Sequence, residues 1–167
     1  ISADSLYEKV AILSGEIPYP QGTYSASRVS VTTWVDSAAV YLKSVMDSMG
    51  FDSVYFQNFS FSYGSVYNTK NVVGLKRGTI SHDTCIVVGA HYDDYSNNYY
   101  IAPGADDNAS GSAGVLEAAR SLMSVESDYD IYFVLFSGEE FGLYGSEYFV
   151  NNYIIPNSMH VLGMVNF

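Results

Sequence analysis

The chain has 167 residues, of which 48% are hydrophobic and 15% are charged, a composition typical of one globular domain. Its formal net charge is −11, and only seven residues are Lys or Arg. Nucleic acids and anionic membrane surfaces need a basic footprint, so the sequence argues against both as partners.

The first two predicted elements are helices. Apolar residues recur at helical spacing over Leu6–Leu13 and again, for about five turns, over Val31–Met49. Gly15 and Gly50 are expected to end these helices. Ile17–Arg28, which contains two prolines and a glycine, is predicted as the loop between them.

The remaining pattern alternates strands with helices. Strands are predicted at Ser53–Ser62, Asn71–Leu75, Cys85–Ala90, Ile131–Phe136 and Val161–Phe167, and helices around Val115–Met123 and from Glu140 to about Tyr153. The third and fourth strands are apolar on both faces, which is typical of central strands covered on both sides. This order predicts an α/β fold with a mixed, mostly parallel central sheet flanked by helices, in a single domain over residues 1–167.

Acidic residues and a histidine follow the two central strands. His91 and Asp93 come after the first, and Glu139 and Glu140 come shortly after the second. Open α/β sheets bind their ligands beyond the carboxyl ends of the strands, so these groups are expected to meet at one edge. Asp93 lies two residues beyond His91 and can accept the hydrogen bond that fixes the imidazole tautomer. Imidazole and carboxylates without a thiolate favour a hydrolytic zinc site.

Each of these groups also has a purely structural interpretation. A histidine after a strand is commonly structural, and two glutamates at the start of a helix stabilise its dipole. The segment Pro103–Gly111 has the sequence of a turn followed by a helix N-cap. The functional interpretation is favoured because all three clusters occur together at these spacings.

Three ordered motifs give the clusters a family resemblance: His91-Tyr92-Asp93, Gly104–Gly111 and Glu139–Ser146. They resemble the motifs of two-zinc aminopeptidases typified by bacterial leucyl aminopeptidase, whose relatives include glutamate carboxypeptidases and glutaminyl cyclases. The resemblance spans roughly His91 to the end of the chain. It implies the zinc-exopeptidase fold, which is phosphorylase/hydrolase-like, and a zinc metallopeptidase that removes N-terminal residues from peptides.

The resemblance implies a role for each site residue. His91 would bind one zinc ion, Glu140 would bind the other, and Asp106 would bridge the two. Asp93 would orient His91. Glu139 would be the general base that acts on a metal-bound water.

The resemblance also implies a cis peptide bond between Asp106 and Asp107, and five metal ligands in all. The two further ligands are an aspartate, which would fall just beyond Phe167, and a later histidine. His82 and His160 are poor substitutes, because His82 is expected in a turn and His160 is expected before its strand, at the opposite edge from the site. The 167 residues are therefore expected to be the N-terminal portion of a longer enzyme, inactive alone. The expected partner is a complementing C-terminal chain, or a second copy of this chain that associates through an exposed sheet edge.

Two alternative functions stay open. One is a glutaminyl-cyclase-like acyltransferase, which would hold a single zinc ion. The other is a non-catalytic acidic domain that binds calcium, although His91 argues against this because calcium prefers all-oxygen shells. The chain opens on Ile1 and its one cysteine excludes an internal disulfide but not export. A removed signal peptide, and hence a secreted or periplasmic location, is the expectation.

Overall fold

The computed structural model describes residues 1–22 and 26–167, so part of the predicted loop Ile17–Arg28 lies outside the described residues. In chain order the elements are α1 (Ala3–Leu13), α2 (Trp34–Asp47), β1 (Ser53–Tyr63), β2 (Ser65–Lys76), β3 (Ser81–His91), an irregular turn (Ala105–Ser110), α3 (Gly111–Leu122), β4 (Tyr129–Phe136), α4 (Tyr144–Phe149), a wider helical turn (Val150–Ile154) and β5 (His160–Asn166). Among these residues no helix has both the length and the apolar character to cross a membrane.

The five strands form one sheet in the order β1-β2-β4-β3-β5. β1 and β2 are an antiparallel hairpin that turns at Gly64, whose φ of 69° is one that glycine adopts without strain. β2 is also antiparallel to β4, whereas β3 is parallel to both β4 and β5. In the described part of the chain β2 therefore runs against the other four strands. The predicted mixed, mostly parallel α/β sheet is confirmed.

The central strand β4 is covered on both faces of the sheet. Phe133 and Leu135 belong to the core that α1, α2 and α3 build on one face. Tyr132 and Val134, which alternate with them, pack with Phe149 on the opposite face, under α4. This arrangement is the reason for the uninterrupted apolar run in the sequence and for the central position of the strand.

Several boundaries differ from the prediction, mainly at the starts of elements. The second helix begins at Trp34 rather than Val31, and β2 begins at Ser65 rather than Asn71. Most residues at the start of β2 are exposed, so they lack the apolar alternation by which a half-buried strand is recognised. β3 begins at Ser81, so the prediction that His82 lies in a turn is wrong.

β5 lies at one edge of the sheet and pairs with β3. All seven of its residues are exposed, including Val161, Leu162, Met164 and Val165. Self-association through this edge stays a prediction.

Candidate metal centre

The ends of β3 and β4 bring a histidine and two glutamates together. The strands are parallel, with His91 opposite Phe136, so the chain leaves both strands at the same edge of the sheet. One ligand atom each from His91, Glu139 and Glu140 lies within 4.8 Å of the others. The two atoms His91 Nε2 and Glu139 Oε2 are 3.9 Å apart. The sequence prediction that these groups meet is therefore correct.

A third carboxylate comes from the irregular turn before α3. Asp107 Oδ1 lies 3.2 Å from His91 Nε2. Asp106 is exposed, and no ion pair of its carboxylate is found in residues 1–22 and 26–167. Asp107 departs from helical geometry inside this turn, with φ −112° and ψ 95°. The structure thus places Asp107 beside His91, where the resemblance implied Asp106.

The cis peptide bond is displaced by one residue in the same direction. It joins Asp107 to Asn108, so the predicted cis bond between Asp106 and Asp107 is wrong. Asn108 links the turn to the start of α3 and to the residue after β5: its side-chain carbonyl accepts from the Gly111 amide at 2.9 Å, and its side-chain amide donates to the Phe167 carbonyl at 3.0 Å.

Asp93 is fully buried and connects the two strand ends. His91 Nδ1 lies 3.2 Å from the backbone carbonyl oxygen of Asp93 and 3.7 Å from its carboxylate. The carbonyl, rather than the predicted carboxylate, is therefore within hydrogen-bonding distance of the imidazole. The Asp93 carboxylate instead accepts from the Ser30 hydroxyl at 3.0 Å and from the Glu139 amide at 3.3 Å.

Buried hydroxyl groups extend this network behind the site. Ser30 Oγ accepts from the Gly138 amide at 3.0 Å and lies 2.9 Å from Ser137 Oγ. Ser137 Oγ lies 2.7 Å from the hydroxyl of Thr69. Hydrogen bonds from β2 and from the residues before α2 therefore hold the segment that carries Glu139 in place.

Arg28 is a residue that sequence reasoning did not identify as part of the site. Its side chain is fully buried, and Asp94 lies 3.3 Å from its guanidinium. The Asp94 carboxylate also accepts from the Arg28 amide at 2.9 Å. The guanidinium donates to four backbone carbonyls from three separate segments, those of Leu13, Tyr92, Pro103 and Gly104. Arg28 thereby links the exit of β3 to the start of the turn that carries Asp107.

The charges around His91 do not balance. Burial disfavours the charged imidazole, but the charges of Asp93, Glu139 and Asp107 outweigh burial and raise the pKa of His91 to about 9. Burial, together with the charges of Asp107 and Asp93, raises the pKa of Glu140. Four carboxylates therefore surround one imidazole, and a bound cation would relieve their mutual repulsion.

The donor atoms fit zinc. Imidazole nitrogen and carboxylate oxygens without a thiolate match hydrolytic zinc sites, and a nitrogen donor disfavours calcium. Asp107 and Glu139 are also partly open to solvent, with 76% and 36% of their side chains exposed. A metal ion and a substrate can therefore reach the site from outside.

Comparison with known proteins adds a family to this geometry. The model of peptidase family M28 matches residues 71–167. Aminopeptidase YwaD of Bacillus subtilis is 42% identical over 85 residues, which are 50% of this chain and 18% of that protein. The chain thus spans less than a fifth of that relative.

Solved structures show the same fold. BSAP, a zinc aminopeptidase from Bacillus subtilis, has a TM-score of 0.78 at 19% identity, covering 99% of this chain and 68% of its own. A glutaminyl cyclase from Fimbriiglobus ruber has a TM-score of 0.79 at 22% identity, covering 99% of this chain and 60% of its own. The fold alone therefore does not separate peptidases from cyclases, whereas the sequence match is to a peptidase family.

Proposed function

The chain belongs to peptidase family M28, and from that premise we propose that it contributes the metal centre of a zinc-dependent aminopeptidase. The observation that carries the proposal is the convergence of Asp107, Glu139 and Glu140 on His91 at the carboxyl ends of β3 and β4. The name of YwaD supports the choice of an aminopeptidase.

We assign His91, Asp107 and Glu140 as zinc ligands. His91 and Glu140 keep the roles that the resemblance implied. The bridging role passes from Asp106 to Asp107, because Asp107 is the carboxylate that contacts His91. When bound, zinc supplies the Lewis acid that polarises the scissile carbonyl and lowers the pKa of a water molecule.

Glu139 is assigned as the general base. It takes a proton from the attacking water and gives it to the nitrogen of the leaving amine. Its carboxylate is partly exposed and lies 3.9 Å from His91, while its amide is held by Asp93. Asp93 is thus a positioning residue for both the histidine and the base.

The substrate class is a peptide with a free amino terminus. This class follows from the aminopeptidase name of the relative YwaD, because an aminopeptidase acts at the free amino end of a peptide. A single-zinc cyclase would use a similar ligand set, and the number of zinc ions bound per complete protein separates the two activities. We also propose that the protein is exported from the cell.

The 167-residue chain alone is expected to bind zinc weakly and not to hydrolyse leucine p-nitroanilide. The resemblance implies five ligands, and three of them are assigned within these residues. A protein that joins this chain to the two further ligands is expected to hydrolyse that substrate.

The test of the proposed function is the substitution of Glu139 in such a complete protein. Glu139→Gln is expected to lower kcat by roughly 10²–10⁴-fold, the usual contribution of a general base. Glu147→Gln is the matched control, because Glu147 is an exposed residue of α4 and should leave kcat unchanged. Full activity of Glu139→Gln would remove the base assignment. A complete protein with Glu139 intact but inert towards every aminoacyl and peptidyl substrate would overturn the peptidase proposal.

A further inference from the structure

A surface of aromatic rings borders the metal centre. It consists of residues from the tip of the β1–β2 hairpin, from the segment after β3 and from the segment after β4: Phe61, Tyr63, Tyr67, Tyr95, Tyr99 and Phe141. We call these six side chains the aromatic surface.

Phe141 is the centre of the aromatic surface. Its ring centroid lies 5.0 Å from that of Tyr63, 5.8 Å from Phe61 and 5.9 Å from Tyr95. Tyr99 lies 6.4 Å from Phe141 and 5.9 Å from Tyr95. All these separations are within the 4.5–7 Å range of interacting aromatic pairs, so the rings form one continuous layer.

The layer rests on the protein on one side and faces solvent on the other. Phe61 is 4% exposed and belongs to the interior, whereas Tyr63 is 49% and Tyr95 46% exposed. Exposed apolar side chains scattered singly are normal, but a contiguous exposed group is typical of a binding surface.

The aromatic surface is continuous with the metal centre through the backbone. Phe141 directly follows Glu140, and Tyr95 directly follows Asp94. The Cα atoms of Phe141 and Glu140 are therefore ~3.8 Å apart, so the aromatic surface adjoins a proposed ligand of the metal centre.

We propose that the aromatic surface binds apolar or aromatic side chains of the peptide on the carboxyl side of the scissile bond; this inference rests on the proposed function. An aminopeptidase removes one residue at the amino end, so the rest of the peptide continues away from the centre. The ring contacts from Tyr99 to Phe141 and from Phe141 to Tyr63 are 6.4 and 5.0 Å long. An extended peptide advances ~3.3 Å per residue, so this path accommodates several residues rather than one side chain.

The test is a binding measurement in the presence of zinc, on a complete protein that carries Glu139→Gln and therefore binds peptides without hydrolysing them. Fluorescence anisotropy would compare labelled peptides Ala-Phe-Phe-Ala, Ala-Ser-Ser-Ala and Phe-Ser-Ser-Ala. The first is expected to bind roughly two- to twelvefold more tightly than the second, the equilibrium equivalent of one aromatic contact. The third is expected to bind like the second. Equal affinities for Ala-Phe-Phe-Ala and Ala-Ser-Ser-Ala would show that the aromatic surface does not bind aromatic side chains. Tight binding of Phe-Ser-Ser-Ala would show that the surface does not lie on the carboxyl side of the scissile bond.

Variants connect the preference to the surface. Phe141→Ala and Tyr95→Ser are each expected to remove the preference for Ala-Phe-Phe-Ala. Tyr7→Ser is the matched control, since Tyr7 is an exposed tyrosine of α1, and it should keep the preference. Tyr95→Ser also serves where Phe141→Ala fails to fold, because Tyr95 lies on an exposed segment. Retention of the preference in Tyr95→Ser would contradict the proposal.

Zinc titration of a complete protein, which joins this chain to the two further ligands, separates this inference from the proposed function. A preference without zinc binding would leave the surface standing and remove the metal centre. Zinc binding without a preference would do the reverse.

Discussion

Each end of the sheet carries a histidine beside a buried aspartate, and the two pairs have different surroundings. At the carboxyl end, His91 lies beside Asp93, and 13% of its side chain is exposed. At the opposite end, His82 Nδ1 lies 2.8 Å from Asp130 Oδ1, and 57% of the His82 side chain is exposed. The same two residue types therefore occur at both ends of β3.

The balance of charge separates the two pairs. Asp130 also accepts from the Arg77 guanidinium and from the Gly78 amide, each at 2.8 Å, so its carboxylate is fully compensated. At His91 three more carboxylates join that of Asp93. A histidine–aspartate pair alone therefore does not indicate a metal site, and the proposed site at His91 differs by the uncompensated carboxylates beside the pair.

The largest expected effect concerns the arginine at each end. Arg28→Met is expected to lower the free energy of unfolding by ~3–5 kcal/mol, because it leaves Asp94 buried and unpaired. Arg77→Met should cost ~1 kcal/mol or less, since Arg77 is half-exposed and Asp130 keeps two other partners. Urea unfolding measures both. Equal losses would show that the two arginines are equally shielded from solvent, contrary to the structure.

The next effect concerns two neighbouring aspartates within the carboxyl end. Asp107→Asn is expected to weaken zinc binding by more than the roughly 10–100-fold that removal of a ligand's hydrogen-bonding neighbour costs. Asp106→Asn, the adjacent exposed residue, should leave the affinity unchanged. Isothermal titration of zinc into both variants provides the measurement. The reverse order of effects would return the bridging role to Asp106.

The smallest effect concerns the aspartates of the two pairs. Asp93→Asn is expected to weaken zinc binding by roughly 10–100-fold, because it disturbs the orientation of His91 and of the Glu139 amide. Asp130→Asn should not change zinc affinity, although it disturbs the opposite end of the sheet. A competition assay with a zinc-sensitive dye compares them, and circular dichroism confirms that both variants are folded. An equal loss of zinc in both variants would remove the distinction between the ends.

The sequence was most informative where burial forces a pattern. The runs Cys85–Ala90 and Ile131–Phe136 identified the central strands because both faces of the sheet are covered. Polar residues just after those runs then predicted the edge at which the site forms. The start of β2 was missed because its residues face solvent, and solvent imposes no alternation on a hairpin.

Local conformation and distant contacts explain the rest. Whether Asp106 or Asp107 contacts His91 depends on the backbone of an irregular turn, which no periodicity reveals. Arg28 could not be found, because most of its partners are carbonyl oxygens, which every residue has. The extent of the domain and the cellular location stay predictions.

The bonds of Arg28 bear on how a minimal unit of this protein should be designed. The family match begins at residue 71, which suggests that a shorter recombinant piece would contain everything the centre needs. Arg28 and Ser30 lie well before that point, and the guanidinium reaches back as far as the Leu13 carbonyl at the end of α1. A piece cut at the boundary of sequence similarity would keep every assigned ligand and lose the scaffold that aligns them.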